Sequence, residues 1–253
     1  YSTAEGAQAY LACPDGHCLA ESRQDHLDSV VSTARTALEP CLQALDSRDC
    51  YACLSLLKYA DQLSLDLFPG ISKLFLVKPQ EALLAGTLGG VPGVVVQSAG
   101  VFRGLGVDEE GNLKGLAQEE GGCRWMMEGL RLFGQSWSSE VMEEWMRRVS
   151  QGSAYHAGLF YETVTSVTVL LLHLLPQLRL RKGAPISWSG PGMIEPLPSK
   201  LAECLERAAP GWQWVKPQTS PAQGCVLLVR AAAQREEQGK IDQRTWKTLF
   251  QLS

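Results

Sequence analysis

Residues 7–21 alternate, with Ala7, Ala9, Leu11 and Cys13 set against Gln8, Tyr10 and Ala12, and Pro14-Asp15-Gly16 separates this run from a second one, His17 to Glu21. Period-two alternation marks a strand, and Pro-Asp-Gly supplies turn chemistry because Pro fixes φ while Gly accepts a positive value. A β-hairpin is predicted. Leu27, Val30, Val31, Ala34 and Leu38 then fall at helical spacing, and Pro40 ends or kinks that helix. A second helical stretch is predicted over 54–67. Residues 73–77 and 92–96 read as buried strands on either side of a short helix over 81–88. The second of these strands runs through Ser98-Ala99-Gly100 into another strand over 101–107, and an acidic turn from Asp108 to Asn112 closes it. This is a second predicted hairpin.

From residue 119 the pattern becomes mostly helical. Helices are predicted over 123–133, 139–149 and 161–178, the second with Ser138 or Ser139 as N-cap. A short strand over 186–188 meets Ser189-Gly190-Pro191-Gly192. It is followed by a helix over 198–209, a strand over 212–215, and helices over 224–234 and 241–252. No internal repeat or linker interrupts the chain, yet both halves contain strands followed by helices. A length of 253 residues with 45% hydrophobic positions suffices for one large core or two modest ones. Two lobes are expected, over 1–115 and 116–253, with room for the terminal helix to pack back on the first lobe.

Composition narrows the partners. The formal net charge is -4 and the basic residues are scattered, so neither nucleic acid nor an anionic membrane surface is an expected partner. The apolar window 164–175 is interrupted by Thr165, Ser166, Thr168 and His173 and reads as a buried helix too short to span a bilayer. Residues 1–10 lack the basic start and apolar stretch of a secretory signal, and a cytoplasmic location is expected. Eight cysteines invite a metal reading, with Cys50-Tyr-Ala-Cys53 the one CxxC and Cys13, His17, Cys18 and His26 as further donors. Cys13 and Cys18 flank a turn and diverge, so reduced, partly buried thiols are expected and no metal. Of the seven Trp, core packing is expected for most, while Trp145 with Val141, Met142 and Met146 would offer an apolar face to a partner. Arg147-Arg148 and Arg179-Leu180-Arg181-Lys182 read as solvated helix ends.

Four segments, in order, carry a resemblance to the N-acetylglucosamine kinases and BadF/BcrA-type ATPases. The first is the opening hairpin, with Asp15-Gly16 and Leu19-Ala20-Glu21; the second is Lys78-Pro79-Gln80-Glu81 leading into an Ala- and Leu-rich helix. The third runs from Pro92 through Asp108-Glu109-Glu110-Gly111 to Glu119-Glu120-Gly121-Gly122, and the fourth from Ile186-Ser187-Trp188-Ser189-Gly190 to Ala233. The resemblance implies a mixed α/β, two-lobed actin-like ATPase fold of ribonuclease H-like lobes, with mixed sheets, flanking helices and a central cleft. It also implies phosphoryl transfer from ATP with Mg to an amino sugar or similar metabolite.

That chemistry asks for backbone N–H donors near phosphate oxygens and a base near the attacking hydroxyl. Here the family's first phosphate turn aligns with Tyr1-Ser2-Thr3-Ala4-Glu5, whose carboxylate would repel phosphate. The second aligns with Ala99-Gly100-Val101-Phe102, which puts a ring where a hydroxyl faces phosphate in the family. The family's catalytic Asp aligns with Pro79, which accepts no proton. Glu81, Glu119 and Glu120 are the remaining candidates for catalytic carboxylates, and each also reads as a helix-start or turn residue. Ser98, Gly100, Ser189, Gly190 and Gly192 are the candidates for nucleotide contact, an ordinary strand-to-helix turn being the alternative for the last three. The expectation is a degenerate, non-catalytic protein that binds a sugar, a metabolite, a second copy or an intact homologue. The alternative is a working kinase or ATPase that uses ATP and Mg.

Overall fold

The computed structural model of the chain describes residues 6–12, 18–25, 30–43, 50–55, 71–99, 101–117, 124–133 and 138–237. The chain divides into two compact units, residues 1–91 with 218–253, and residues 92–217. The expected lobe boundary at 115/116 falls inside a strand of the second unit.

In the first unit, β1 (Gly6–Ala12) and β2 (Cys18–Asp25) form the predicted antiparallel hairpin, with a register shift between Leu11 and Ala12. Its turn, with Asp15 and Gly16, lies outside the described residues. Helix α1 (Val30–Gln43) packs on both strands and keeps Pro40 inside it, so the helix passes the proline rather than ending there. Strand β3 (Cys50–Ser55) pairs in parallel with β4 (Ile71–Val77). Residues 54 and 55 are therefore strand, contrary to the helix predicted from 54, because pairing with a distant strand overrides local apolar spacing. The rest of that predicted helix, 56–67, lies outside the described residues.

Helix α2 (Pro79–Leu88) is buried along its length from Glu81, as expected of a helix apolar on every side. It packs on α7 (Pro221–Glu237), which also lies on β3 and β1. The approach is close enough that a Cβ on Gly224 would collide with the Ala82 carbonyl oxygen and lie 2.6 Å from the Gly86 nitrogen. A Cβ on Gly86 would likewise meet the Ser220 carbonyl. Two glycines thus set the separation of the helices.

The second unit is built on a five-stranded sheet in the order β7-β6-β5-β8-β9. Strands β5 (Gly93–Ala99), β6 (Val101–Val107) and β7 (Leu113–Ala117) are antiparallel neighbours. On the other side of β5, strands β8 (Pro185–Ser189) and β9 (Gln213–Trp214) run parallel to it. The hairpin predicted over 92–111 is β5 and β6, and β7 adds an edge strand that Leu113-Lys114-Gly115 did not announce.

Between β6 and β7, Asp108 holds the acidic turn. Its Oδ1 accepts the N–H groups of Glu110 (3.0 Å) and Asn112 (2.8 Å), and its Oδ2 accepts Asn112 Nδ2 (3.0 Å). Burial pushes its carboxyl up, but these donors and the Arg179 backbone outweigh that and hold it below the usual range.

Helices α3 (Arg124–Phe133), α4 (Ser139–Ser150), α5 (Ala154–Leu174) and α6 (Leu197–Ala208) complete the unit. Ser138 caps α4, its Oγ accepting the Val141 N–H at 3.4 Å. Phe160, Val164, Val167, Leu171 and Leu174 of α5 share one core with Val94, Val96, Phe102 and Ile186 of the sheet. A turn of 3-10 helix extends α5, and Ala154–Gln177 is long and apolar enough to cross a membrane by length and composition, although 56% of its most apolar window is buried in the fold. The helix is longer than the window 164–175, since it begins before Tyr161 and accommodates Gly158.

Replacing Gly224 with alanine is expected to cost roughly 1–3 kcal/mol, because the added methyl meets backbone that has no rotamer to yield. Urea unfolding of the variant checks this. Asp108→Ala is expected to cost roughly 1–3 kcal/mol at neutral pH by orphaning the turn donors. The Asp108 contribution is present above the unfolded value of about 3.9 and lost as pH falls through the lower folded one. The gap between wild type and variant in denaturant midpoint should therefore close on acidification.

Candidate functional site

The parallel pairing of β5 with β8 aligns Gln97 with Ser189, so the chain following each strand emerges at the same end of the sheet. Ser98 and the turn Ser189-Gly190-Pro191-Gly192 are thereby brought together. The Gly192 N–H donates to the buried Ser98 Oγ at 2.7 Å. Gly190 adopts φ of 102°, and a Cβ there would collide with the Ser98 carbonyl oxygen, so both conformation and space demand glycine. The Met193 N–H closes the turn on the Gly190 carbonyl at 3.1 Å. Four of the five residues predicted for nucleotide contact therefore form one cluster, and the fifth, Gly100, lies outside the described residues. The cluster spends the Gly192 donor on Ser98, which leaves the Ser98 hydroxyl its proton and one acceptor lone pair.

Phe102 is a core residue. It sits opposite Ser98 in the β5–β6 register and is fully buried in the core of the second unit. Alternation along β6 turns its ring inward. Tyr1, Glu5, Glu119 and Glu120 lie outside the described residues.

The start of α2 is the other predicted catalytic segment. Pro79 occupies the first helical position, where its missing N–H costs nothing. Glu81 is buried at 8% exposure, and its Oε2 accepts the Lys78 N–H at 2.7 Å. Burial pushes its carboxyl up, opposed by that bond and by the Lys78 charge. It is not the surface residue that a carboxylate in a first helical turn suggests. Its Oε2 is engaged by Lys78, which leaves Oε1 as the oxygen that could take a proton.

Among the described residues no three His, Cys, Asp or Glu side chains gather in a metal-holding group. The Trp145 face is also not free: Trp145, Val141 and Met142 are buried in the core, and Trp145 Nε1 donates to the His156 carbonyl at 3.1 Å. Arg147 and Arg148 both bond Glu144, whose carboxyl they hold at about 2. Arg179 and Arg181 pair with Glu110 and Glu109.

Two further groupings carry no sequence signal. Ser153 Oγ lies 2.6 Å from His156 Nδ1 at the start of α5, and Trp188 stacks on Trp214 with centroids 5.6 Å apart. The second arises from the β8–β9 pairing, which no local pattern announces.

Among solved structures, a candidate N-acetylglucosamine kinase from Chromobacterium violaceum matches with a TM-score of 0.58 at 19% identity, over 90% of this chain and 96% of that one. This chain has an actin-like fold. The activator of the 2-hydroxyisocaproyl-CoA dehydratase from Clostridium difficile, with ADPNP bound, matches at TM-score 0.48 and 13% identity over 92% of this chain and 93% of that one. A second candidate N-acetylglucosamine kinase, from Porphyromonas gingivalis, matches at 0.46 and 15% over 87% and 93%. No protein-family model and no curated protein matches the sequence. The actin-like fold expected from the four segments is thus found, while identity this low speaks to fold alone.

At neutral pH, Glu81→Gln is expected to be at least as stable as wild type, because the amide still accepts from Lys78 and carries no buried charge. Glu81→Ala is expected to lose about 0.5–2 kcal/mol with the lost cap. A carboxyl whose folded pKa is raised costs stability once pH rises through that folded value, so the Gln variant's advantage should vanish below the unfolded value. Thermal unfolding across pH reads both effects.

Proposed function

We propose that this chain is a non-phosphorylating protein of the actin-like sugar-kinase fold, retained for binding a sugar-like metabolite or a protein partner. The observation that carries this is the start of α2, where the resemblance expects the catalytic Asp. Pro79 stands there, and the nearest carboxylate, Glu81, is buried and bonded to Lys78. Phosphoryl transfer asks for a base near the attacking hydroxyl; Pro79 cannot supply it, and Glu81 is two residues on, withdrawn from solvent and tied through Oε2 to its own helix start. Partners of this reading are a small metabolite, a second copy or an intact homologue in the cytoplasm, with no nucleic acid and no membrane.

A second reading, ATP- and Mg-dependent phosphorylation of an amino sugar, draws on the glycine turn. The convergence of Ser98, Gly190 and Gly192 is what a nucleotide-facing turn would need.

Isothermal titration of the intact chain with Mg-ATP separates the two. No saturable heat, and no transfer of phosphate to N-acetylglucosamine in a coupled assay, is the expected outcome. Micromolar Mg-ATP binding would overturn the proposal.

A further inference from the structure

Helices α4 and α5 are joined by Gln151-Gly152-Ser153, and Gly152 turns the chain with φ of 84°. Gln151 and Gly152 are exposed. His156, in the first turn of α5, is drawn inward instead and is 8% exposed. Its ring meets Trp145 of α4 at 4.7 Å between centroids and Tyr155 at 5.6 Å, both edge to face. Its carbonyl accepts Trp145 Nε1 at 3.1 Å. On the ring, Nδ1 lies 2.6 Å from Ser153 Oγ, while Nε2 is buried and has no hydrogen-bond partner among the described residues.

That unpartnered nitrogen decides which charge the ring tolerates. A neutral imidazole has one donor and one acceptor, so the bond to Ser153 serves either tautomer. Protonation makes both nitrogens donors, and Nε2 would then hold a cationic N–H in a dry place with no acceptor. The start of a helix also disfavours positive charge. Among the charged groups around the ring, Arg148 of α4 opposes the proton, whereas Glu144 of α4 and Glu128 of α3 favour it. Both carboxylates already bond arginines, Glu144 to Arg147 and Arg148 and Glu128 to Arg131. Arg124 and Arg131 of α3 bear on the adjacent Tyr155. Burial outweighs the two carboxylates and holds His156 below the usual histidine range.

We propose that His156 is an acid-operated latch between α4 and α5: neutral, it holds the start of α5 against Trp145, and protonated, it leaves its pocket for water and frees the joint. The released state has a cap of its own. Ser153 stands at the N-cap of α5, yet its side chain makes no bond to the helix. Once His156 departs, the Ser153 hydroxyl can accept an N–H of the first turn, as N-cap serines do. Two partners for one hydroxyl make the start of α5 a two-state element that a single proton biases. The latch is complete above the unfolded value of about 6.5 and is lost as pH falls through the lower folded one. It lies wholly within the second unit and does not depend on whether nucleotide binds.

Imidazole resonances of the intact chain are followed by NMR from about pH 8 to about pH 4.5, a span that brackets the unfolded value. His156 is assigned by the signal missing from His156→Asn, whose amide can still pair with Ser153 but takes no proton. Folded His156 should titrate below its value in the urea-unfolded chain. Deuterium uptake over residues 151–160, compared at each pH with His156→Asn to cancel the intrinsic rate, should then rise in wild type by up to about tenfold per pH unit within that window. Strands β5 and β6 should stay protected over the same range. If the variant does not fold, wild-type uptake over 151–160 is compared with that over β5 and β6 instead. Titration at or above the unfolded value, protonation without added uptake over 151–160, or an equal rise in β5 and β6 would each overturn the proposal.

Discussion

Val94, Val95 and Val96 are wholly buried, so both faces of β5 are withdrawn from water and its backbone groups must find partners in flanking strands. The second unit follows from that constraint. An antiparallel neighbour is supplied locally by the hairpin to β6, and a parallel one is supplied by β8, nearly a hundred residues on. The hairpin register sends Phe102 into the core beneath α5. The parallel register carries the turn after β8 to the end of β5, where Ser98 and Gly192 bond. Core and candidate site are two consequences of one strand's position.

The first unit is governed by close approach instead. Gly86 and Gly224 let α2 and α7 touch backbone to backbone, and the buried flank of α2 begins at Glu81. The same packing that withdraws Glu81 from solvent gives it a structural duty toward Lys78. The cap makes the helix start a stable platform and ties one oxygen of its carboxylate to the backbone.

Elements with local signals were legible. The hairpins β1–β2 and β5–β6 show alternation or β-branched runs broken by turn residues. Helices α2, α4 and α6 show caps, an N-terminal proline or apolar spacing near their observed ends. Strand β3 was missed because Cys-Tyr-Ala-Cys-Leu-Ser has no clear period and its partner, β4, is not adjacent in sequence. Strand β7 was missed because an edge strand with exposed positions needs little apolar pattern. The early start of α5 was hidden by Gly158 and His156, which packing against Trp145 and the rest of the unit accommodates.

By itself, the sequence determined the strand-then-helix order of both halves, the glycine turn at 189–192 and the proline that opens α2, because each is written in residues adjacent along the chain. It also carried, in the order of four weak motifs, an actin-like fold that a solved structure shares. Tertiary structure alone decided that Phe102 is core, that Trp145 is buried and bonded to the His156 carbonyl, and that Glu81 is buried and bonded to Lys78. Each of these depends on register or helix crossing, and both are fixed by the burial of distant apolar surface rather than by any residue's neighbours in sequence.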